Sequence, residues 1–262
     1  MHDDKIIEIV YTCTGGYVNY TKPFLESLKY FFPRNRKIVR IISDGADEYK
    51  GYTDDKVIYV EVNKKPNLIY PCVPIHKMYW VNELPKMNSD YCFYFDADTI
   101  FKEVPDYNWE ALFAKMDEGE IMISKHPAYI LKTEEERMRW IPYFFGSNTD
   151  RNPINASYIE DKEYTYVITS FFGANTRQMH NICSKIVEMQ LSDMVRERPY
   201  WIPRYIDENY FNKLVCDYEK GRSNEFTFAV DNYNTIYNMD SIDVPSVFMY
   251  QKNMKDYKFN RR

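Results

Sequence analysis

The strongest constraint on the fold is an alternation of short apolar runs with helical segments in the first hundred residues. Runs rich in β-branched and aromatic residues predict strands that are buried in a sheet. The strand-like runs are "KIIEIVYT", "KIVRIIS", "KVIYVEV" and "YCFYF", and the helix-like ones are "YTKPFLESLKYFF" and "PIHKMYWVNEL". This alternation predicts an α/β protein with parallel strands covered by helices on both faces. Ligands bind to such sheets beyond the carboxyl ends of the strands.

The second half of the chain predicts two further strands, "GEIMISKHP" and "YVITSFFGA", and two helices. Asn175, with Gln178 three residues later, fits a capping box at the start of the first helix. The apolar stripe of this helix predicts core packing and comprises Met179, Ile182, Cys183, Ile186, Val187, Met194 and Val195. "RYIDENYFNKL" predicts the second helix, which runs to about Leu214. Asp207 and Glu208 stand in its first turn, where the helix dipole favours carboxylates.

Composition narrows the class of protein. The net charge of −5 and the lack of a basic stripe with interleaved aromatic residues argue against nucleic acid as a partner. No apolar run approaches the ~20 residues of a membrane span, and the N-terminus lacks the features of a signal peptide. The five cysteines are odd in number and contain no Cys-x-x-Cys pair, which favours reduced thiols. We therefore expect a soluble, cytoplasmic protein.

The segment "YCFYFDADTIF" places two carboxylates, Asp96 and Asp98, at the end of a buried strand. Side chains alternate along an extended chain, so residues two apart point the same way and their charges repel each other. A divalent cation between the two carboxylates would relieve this repulsion. A divalent cation is therefore the simplest positive partner for this strand end.

Three interpretations of this Asp-x-Asp segment compete. In the first, the two aspartates only cap backbone donors in a turn. In the second, "FDADTI" belongs to a phosphatase of the haloacid-dehalogenase type with Asp96 as nucleophile. That family also needs a later Gly-Asp pair, and the chain contains no "GD". In the third, the segment is the metal motif of a nucleotide-sugar glycosyltransferase, which normally follows three or four strands, as it does here.

Six segments together resemble glycosyltransferase family 6, the group of the blood-group A and B transferases and the α-1,3-galactosyltransferases. They are "YTCTGGY", "FYFDADTIF", "SKHPAYI", "SFFGANT", "YIDENYFNKL" and "YQKNMKDYKFNRR", in the family's order and approximate spacing. The resemblance implies an α/β protein of GT-A fold, with one catalytic domain over residues 1–262 around a mixed central sheet. It further implies a Rossmann-like nucleotide-binding half over about 1–100, a donor-sugar and acceptor half over about 101–250, and a C-terminal lid over 251–262.

The resemblance also assigns residues to the donor nucleotide. Thr12, Thr14 and Tyr17 match positions that hold the uracil of a UDP-sugar. Lys77 stands where the family usually has an arginine that reaches the donor. In the tail, Lys252 and Lys258 match basic residues of a segment that folds over the diphosphate. Asp96 and Asp98 match the family's metal motif.

Further matches concern the donor sugar, the acceptor and the catalytic group. Ile168 and Ser170 match positions that separate a galactose pocket from an N-acetylgalactosamine pocket. Glu208 matches the family's catalytic glutamate, and Asp207 matches the neighbour that binds hydroxyls of the donor sugar. His126 matches a histidine that lines the active site on the acceptor side. The family's tryptophan–histidine pair before the two acids is replaced by Tyr205 and Ile206, so the resemblance does not specify the acceptor.

The expected function is therefore that of a retaining glycosyltransferase. Galactose or N-acetylgalactosamine would move from a UDP-sugar donor to a hydroxyl of a glycan or other carbohydrate acceptor, with Mn²⁺ or Mg²⁺ as cofactor. A phosphatase with Asp96 as nucleophile and a carbohydrate-binding protein without catalysis are the alternatives. The phosphatase predicts release of phosphate from simple esters and no affinity for UDP.

Overall fold

The computed structural model describes residues 2–68, 72–85, 88–103, 107–125, 135, 155–161, 164–195, 206–231 and 248–250. Three of the predicted site residues, His126, Lys252 and Lys258, lie outside the described residues, and so does the whole of the predicted lid over 251–262. Tyr205 is also outside them. The structure describes the other site residues named above.

The described residues form short strands and helices in the alternation that the first half of the sequence predicts. The strands are β1 (Ile6–Cys13), β2 (Arg36–Ser43), β3 (Val57–Lys64), β4 (Tyr91–Asp96), β5 (Thr99–Phe101), β6 (Glu120–Lys125), β7 (Val167–Asn175), β8 (Thr227–Asp231) and β9 (Phe248–Tyr250). The α-helices are α1 (Thr21–Ser27), α2 (Cys72–Glu83), α3 (Trp109–Asp117), α4 (Thr176–Val195) and α5 (Ile206–Glu219). Short 3-10 turns cover Gly15–Tyr20, Leu28–Tyr30 and Asp47–Tyr49.

Seven strands form one central sheet in the order β3-β2-β1-β4-β7-β6-β8. The pairs β1–β2, β1–β4, β2–β3 and β6–β8 are parallel, and β7 is antiparallel to both of its neighbours. The parallel pairing predicted for the first half is confirmed, and the sheet as a whole is mixed. Because β7 alone runs against the other strands of this sheet, its amino end lies at the edge where β4 and β6 have their carboxyl ends.

Helices cover both faces of the sheet. Because side chains alternate along a strand, Tyr11 and Phe93 face a core that α1 and α3 complete, whereas Tyr94 and Phe172 face a second core against α2, α4 and α5. Both cores are rich in aromatic rings. Phe31, for example, packs against Phe93, Phe95 and Phe101 with ring centroids 4.8–5.3 Å apart. The α/β class predicted from the alternation of segments is thereby confirmed.

The two predicted helices of the second half are present, with different extents. The backbone N–H of Gln178 donates to Oδ1 of Asn175 at 2.9 Å, which confirms the predicted start of α4. Its stripe is buried at Met179, Ile182, Cys183 and Ile186, but Met194 is 54% exposed, so the buried stripe ends before the helix does. Helix α5 continues past Leu214 to Glu219 and ends just before Gly221, which has a positive φ of +67° and can end a helix.

Two further findings concern the cysteines and the apolar character of the helices. The structure describes the side chains of four cysteines, all of them free and buried: Cys13, Cys92, Cys183 and Cys216. Within the described ranges, none of the helices has both the length and the apolar character that crossing a membrane requires.

Gly173 makes the closest contact between the two central strands. It pairs with Phe93 across β4 and β7. A Cβ atom built on Gly173 would lie only 2.1 Å from Cδ1 of Phe93. Real Cβ contacts are never so short, so any larger residue at position 173 would push β4 and β7 apart or displace the Phe93 ring. Since Phe93 is fully buried, that ring has little room to move.

We predict that Gly173→Ala lowers the free energy of unfolding by about 1–3 kcal/mol, the usual effect of overpacking a core. Urea denaturation followed by circular dichroism measures this change. Gly16→Ala is the matched control, because a Cβ on Gly16 meets no atom within 4 Å. The control should change stability by no more than about 0.5 kcal/mol. Equal stability of the two variants would contradict the close packing of Gly173 on Phe93.

Candidate active site

The candidate site lies at the edge of the sheet where β4 ends and β7 begins. Asp96 is the last residue of β4, and Asp207 and Glu208 stand in the first turn of α5. Helix α5 packs on β7, so its amino end comes close to the end of β4. Carboxylates that are far apart in sequence are thereby brought to one place.

Lys77, on α2, is the centre of this cluster. Its ammonium lies 2.5 Å from Oδ2 of Asp207 and 3.2 Å from Oδ1 of Asp96. Only 7% of the Lys77 side chain and 5% of the Asp207 side chain are exposed, so their ion pair is largely shielded from water, whereas 33% of the Asp96 side chain is exposed. The ammonium also lies 4.8 Å from the centre of the Tyr94 ring. The sequence predicted a metal ion as the positive partner of Asp96. In the structure, the Lys77 ammonium supplies a positive charge to this carboxylate.

The charges of this cluster support one another. Burial lowers the pKa of Lys77, but the negative charges of Asp207 and Asp96 outweigh this effect and keep the pKa above its ordinary value. The hydroxyl of Tyr94 donates to Oδ1 of Asp96 at 2.8 Å. Burial, followed by the charge of Asp96, raises the pKa of Tyr94 well above its ordinary value, so the hydroxyl stays protonated and remains a donor.

An irregularity in β7 adds Thr169 to the cluster. Along β6, the neighbouring residues Ile123 and Ser124 pair with Phe172 and Ile168, so residues 169–171 of β7 are extra. Such bulges change the direction in which side chains point and are frequent beside active sites. Here the Thr169 hydroxyl donates to Oδ2 of Asp207 at 2.7 Å, and its carbonyl accepts from Lys77 at 3.4 Å.

Glu208 is partly buried beside this cluster and has a perturbed pKa. Its Oε1 accepts a hydrogen bond from the hydroxyl of Tyr166. The pKa of Glu208 is raised to about 7: burial is the largest cause, the charge of Asp207 acts in the same direction, and the Tyr166 hydrogen bond acts in the opposite direction. A carboxylate that titrates near neutral pH in a cluster of charges is typical of functional sites.

Asp98 has a different setting from Asp96. Strand β4 ends at Asp96, and Ala97 and Asp98 form a turn before β5. The alternation of side chains, from which we predicted that both carboxylates point the same way, therefore ends at Asp96. Asp98 is buried, with 3% exposure, and its charge helps to raise the pKa of Tyr11, although burial is the larger cause. The Tyr11 hydroxyl fixes this turn by donating to the carbonyl of Ala97 at 2.7 Å.

The donor atoms at this edge suit a hard divalent cation, but they do not complete a coordination shell. Asp96 and Asp98 offer carboxylate oxygens, which Mg²⁺ and Mn²⁺ prefer. The ammonium of Lys77 is already shared by the carboxylates of Asp96 and Asp207. Among the residues that the structure describes, no group of three or more His, Cys, Asp or Glu residues could hold a metal ion. A metal at Asp96 and Asp98 would therefore need further ligands from a bound substrate and from water.

The predicted uracil-binding residues lie at the same edge, at the carboxyl end of β1 and just after it. Thr12 is paired with Asp96 across β1 and β4, and both Thr12 and Thr14 are buried. Tyr17 is partly buried and packs against the core. The loop is held by Gly15, whose N–H donates to Oδ1 of Asp44 at 2.9 Å. The structure therefore places Thr12 beside Asp96 and Tyr17 against the core.

The two residues matched to the donor-sugar pocket lie next to the Lys77 cluster. Ile168 is buried, with 5% exposure, and Ser170 is partly exposed. They flank Thr169, which contacts Lys77 and Asp207. Ser124, opposite Ile168 in β6, is fully buried, and its hydroxyl has no hydrogen-bond partner among the residues that the structure describes. This unsatisfied polar atom lies at the same edge of the sheet.

Several residues of the cluster were not singled out from the sequence. Tyr94 carries a usable signal, because it lies two residues before Asp96 on the same strand and therefore faces the same side. Tyr166 and Thr169 give no such signal, since their roles depend on the reversed direction of β7 and on its bulge. Lys77 was predicted to reach the donor, but the structure pairs it with two carboxylates.

In comparisons with known proteins, no protein-family model matches the chain. No curated protein is similar enough to count as a match either. The family resemblance therefore rests on the six segments alone, and both the family and the activity it implies are proposals.

We predict that Lys77→Met lowers the free energy of unfolding by roughly 3–5 kcal/mol near neutral pH, because it leaves Asp96 and Asp207 without their counter-ion. Urea denaturation near pH 7 measures this loss.

Lys213→Met provides the control for this prediction. Lys213 pairs with Asp217 at 2.9 Å on the same helix, but 25% of its side chain is exposed. Its loss should change stability by about 1 kcal/mol or less, as for other accessible ion pairs. If both variants lose the same small amount of stability, Lys77 does not carry the charge balance of the site.

Proposed function

We propose that this protein is a retaining glycosyltransferase of GT-A fold that transfers galactose or N-acetylgalactosamine from a UDP-sugar to a carbohydrate hydroxyl. The observation that carries the proposal is the meeting of Asp96 with Asp207 through Lys77 at the carboxyl edge of the sheet, with Glu208 next to Asp207 in the first turn of α5. Substrates of α/β sheets bind at this edge. The acidic motif after the fourth strand and the acidic pair at the start of α5 are the two parts that such a transferase needs.

The donor nucleotide lies, in this proposal, across the ends of β1 and β4. Thr12 and Thr14 approach the uridine, and Asp96 and Asp98 lie toward the diphosphate. A divalent cation held by these two carboxylates and the diphosphate would act as a Lewis acid on the leaving UDP. The Lys77 ammonium, held between Asp96 and Asp207, keeps the acidic groups of the two halves of the site together beside the diphosphate.

Glu208 serves the reacting carbon of the sugar. Its carboxylate either attacks the anomeric carbon or stabilises the positive charge that develops there while the acceptor hydroxyl enters on the same face. Either role needs the ionised form. Asp207 binds hydroxyls of the donor sugar from the neighbouring position, and Ile168 and Ser170 shape the pocket around the sugar.

The proposal is tested by screening UDP-sugars for UDP release that depends on both an added carbohydrate acceptor and Mn²⁺. Transfer from UDP-galactose or UDP-N-acetylgalactosamine with retention at the anomeric carbon supports it. Isothermal titration of UDP with Mn²⁺ supplies a readout without turnover. Release of phosphate from simple esters without affinity for UDP would indicate the phosphatase instead. Glycan binding that is unchanged by Glu208→Gln, without any transfer, would indicate a carbohydrate-binding protein.

We predict that Glu208→Gln lowers the rate of transfer by roughly 100- to 1,000-fold, the range seen when one electrostatic stabiliser is removed from an active site. UDP affinity should change only a few-fold, because the loss belongs to the transition state. In the wild-type protein, kcat/KM should rise with pH up to about 7 and then level off, since the raised pKa of Glu208 keeps part of this group protonated below that pH. A collapse of UDP affinity in the variant would instead assign Glu208 a structural role.

We predict that Asp98→Asn lowers transfer and the affinity for Mn²⁺ together, by about tenfold or more, because even outer partners of metal ligands contribute that much. The amide keeps the shape of the side chain but loses the charge that attracts a hard cation. Initial rates over a Mn²⁺ titration measure both quantities. Full activity of this variant in the presence of a chelator would rule out a metal at Asp98.

A further inference from the structure

Tyr166 is a buried residue that contacts the proposed catalytic carboxylate. It lies immediately before β7 and is only 2% exposed. Its hydroxyl donates to Oε1 of Glu208. A hydroxyl donor stabilises the charged form of a carboxylate and restricts its rotation. The contact joins the start of β7 to the first turn of α5 within the candidate site.

A second residue fixes the distance between these two elements. Asn212, on α5, is fully buried and makes three hydrogen bonds with its side chain. Its Oδ1 accepts from the N–H of Val167 at 2.9 Å, and its Nδ2 donates to the carbonyls of Val167 at 2.9 Å and Glu208 at 2.8 Å. Since Val167 is the neighbour of Tyr166, the same amide that holds Val167 also holds the backbone of Glu208.

We propose that Tyr166 is a positioning residue for Glu208: its buried hydroxyl, held in register by Asn212, fixes one orientation of the carboxylate and favours the charged form. The consequence for catalysis rests on the function proposed above. The effect on the carboxyl group itself does not depend on that function. The resemblance to known transferases assigns no such role to Tyr166.

The electrostatic surroundings of Glu208 make this hydrogen bond important. Burial raises the pKa of Glu208, and the charges of Asp207, on its own helix, and of Asp96, at the end of β4, act in the same direction. Among the largest influences from described residues, the Tyr166 hydrogen bond and the Lys77 ammonium act in the opposite direction, and the hydrogen bond is the larger of the two. Without it, the carboxyl group would be more often protonated near neutral pH.

The test compares Tyr166→Phe with a matched control, Tyr210→Phe. Tyr210 lies on the same helix as Glu208, is 1% exposed, and donates to Oδ2 of Asp193 at 2.7 Å. Each variant thus loses one buried tyrosine–carboxylate hydrogen bond, but only one of them touches Glu208. Thermal denaturation and UDP titration with Mn²⁺ show that both variants are folded.

The first measurement follows the Glu208 carboxyl carbon by NMR in protein labelled with ¹³C-glutamate, with Glu208→Gln used to assign the signal. We expect its titration midpoint to rise by about one pH unit in Tyr166→Phe, as one hydrogen bond to a charged group would give. The midpoint should stay at the wild-type value in Tyr210→Phe. This readout needs no substrate, so it stands apart from the proposed transfer reaction.

The second measurement is the pH dependence of transfer. For Tyr166→Phe we expect kcat near pH 7 to fall roughly 10- to 100-fold with UDP affinity nearly unchanged, and the acid limb of the profile to move to higher pH. An unchanged titration midpoint in Tyr166→Phe, or an equal shift in both variants, would overturn the inference. If the midpoint rises in Tyr166→Phe but the wild-type protein transfers no sugar, the carboxylate contact is supported and the transferase is refuted.

Discussion

The ammonium of Lys77 is the contact on which the site depends. It neutralises a carboxylate at the end of β4 and another at the start of α5. These two elements are far apart in the sequence. A lysine that is so little exposed would lose its proton in apolar surroundings, because burial lowers its pKa. The charges of Asp207 and Asp96 outweigh this effect, so Lys77 keeps its proton.

The reversed direction of β7 gives the site its second half. A strand parallel to β4 would present its carboxyl end here, whereas β7 presents its amino end and the residues just before it. That arrangement brings Tyr166 to Glu208 and, through the bulge at residues 169–171, brings Thr169 to Asp207 and Lys77. One antiparallel strand in the middle of the sheet thus supplies donors to both acids at the start of α5.

Local patterns predicted the frame of this protein well. The apolar runs located β1 to β4, the polar ends of strands located Asp96, and the capping residues of α4 were found from Asn175 and Gln178. These features depend on neighbours within a few residues, so a sequence pattern can contain them. The polar contacts between distant segments could not be found in this way, because they depend on the direction of β7 and on its extra residues.

Asp98 and Lys77 show the same limit of sequence patterns for charged groups. The alternation of side chains correctly indicated that Asp96 needs a positive partner, but it could not show that the strand stops there and that a turn follows. It also could not show that a lysine from α2 reaches Asp96. The sequence indicated that a positive charge is needed near the two aspartates. Which group can supply it is determined by the tertiary structure.

The charge balance of this edge also explains why the proposed reaction needs a cation in addition to Lys77. The lysine is already shared by Asp96 and Asp207, with Glu208 and its raised pKa beside them. A diphosphate that arrives at the same edge adds negative charge to a place that has no surplus positive charge among the described residues. Like charges at such distances cost several kcal/mol where water is partly excluded, by the order of magnitude of Coulomb's law at a protein surface. A divalent ion at Asp96 and Asp98 would offset that repulsion, and it would do so without drawing Lys77 away from the two carboxylates that hold α5 in place.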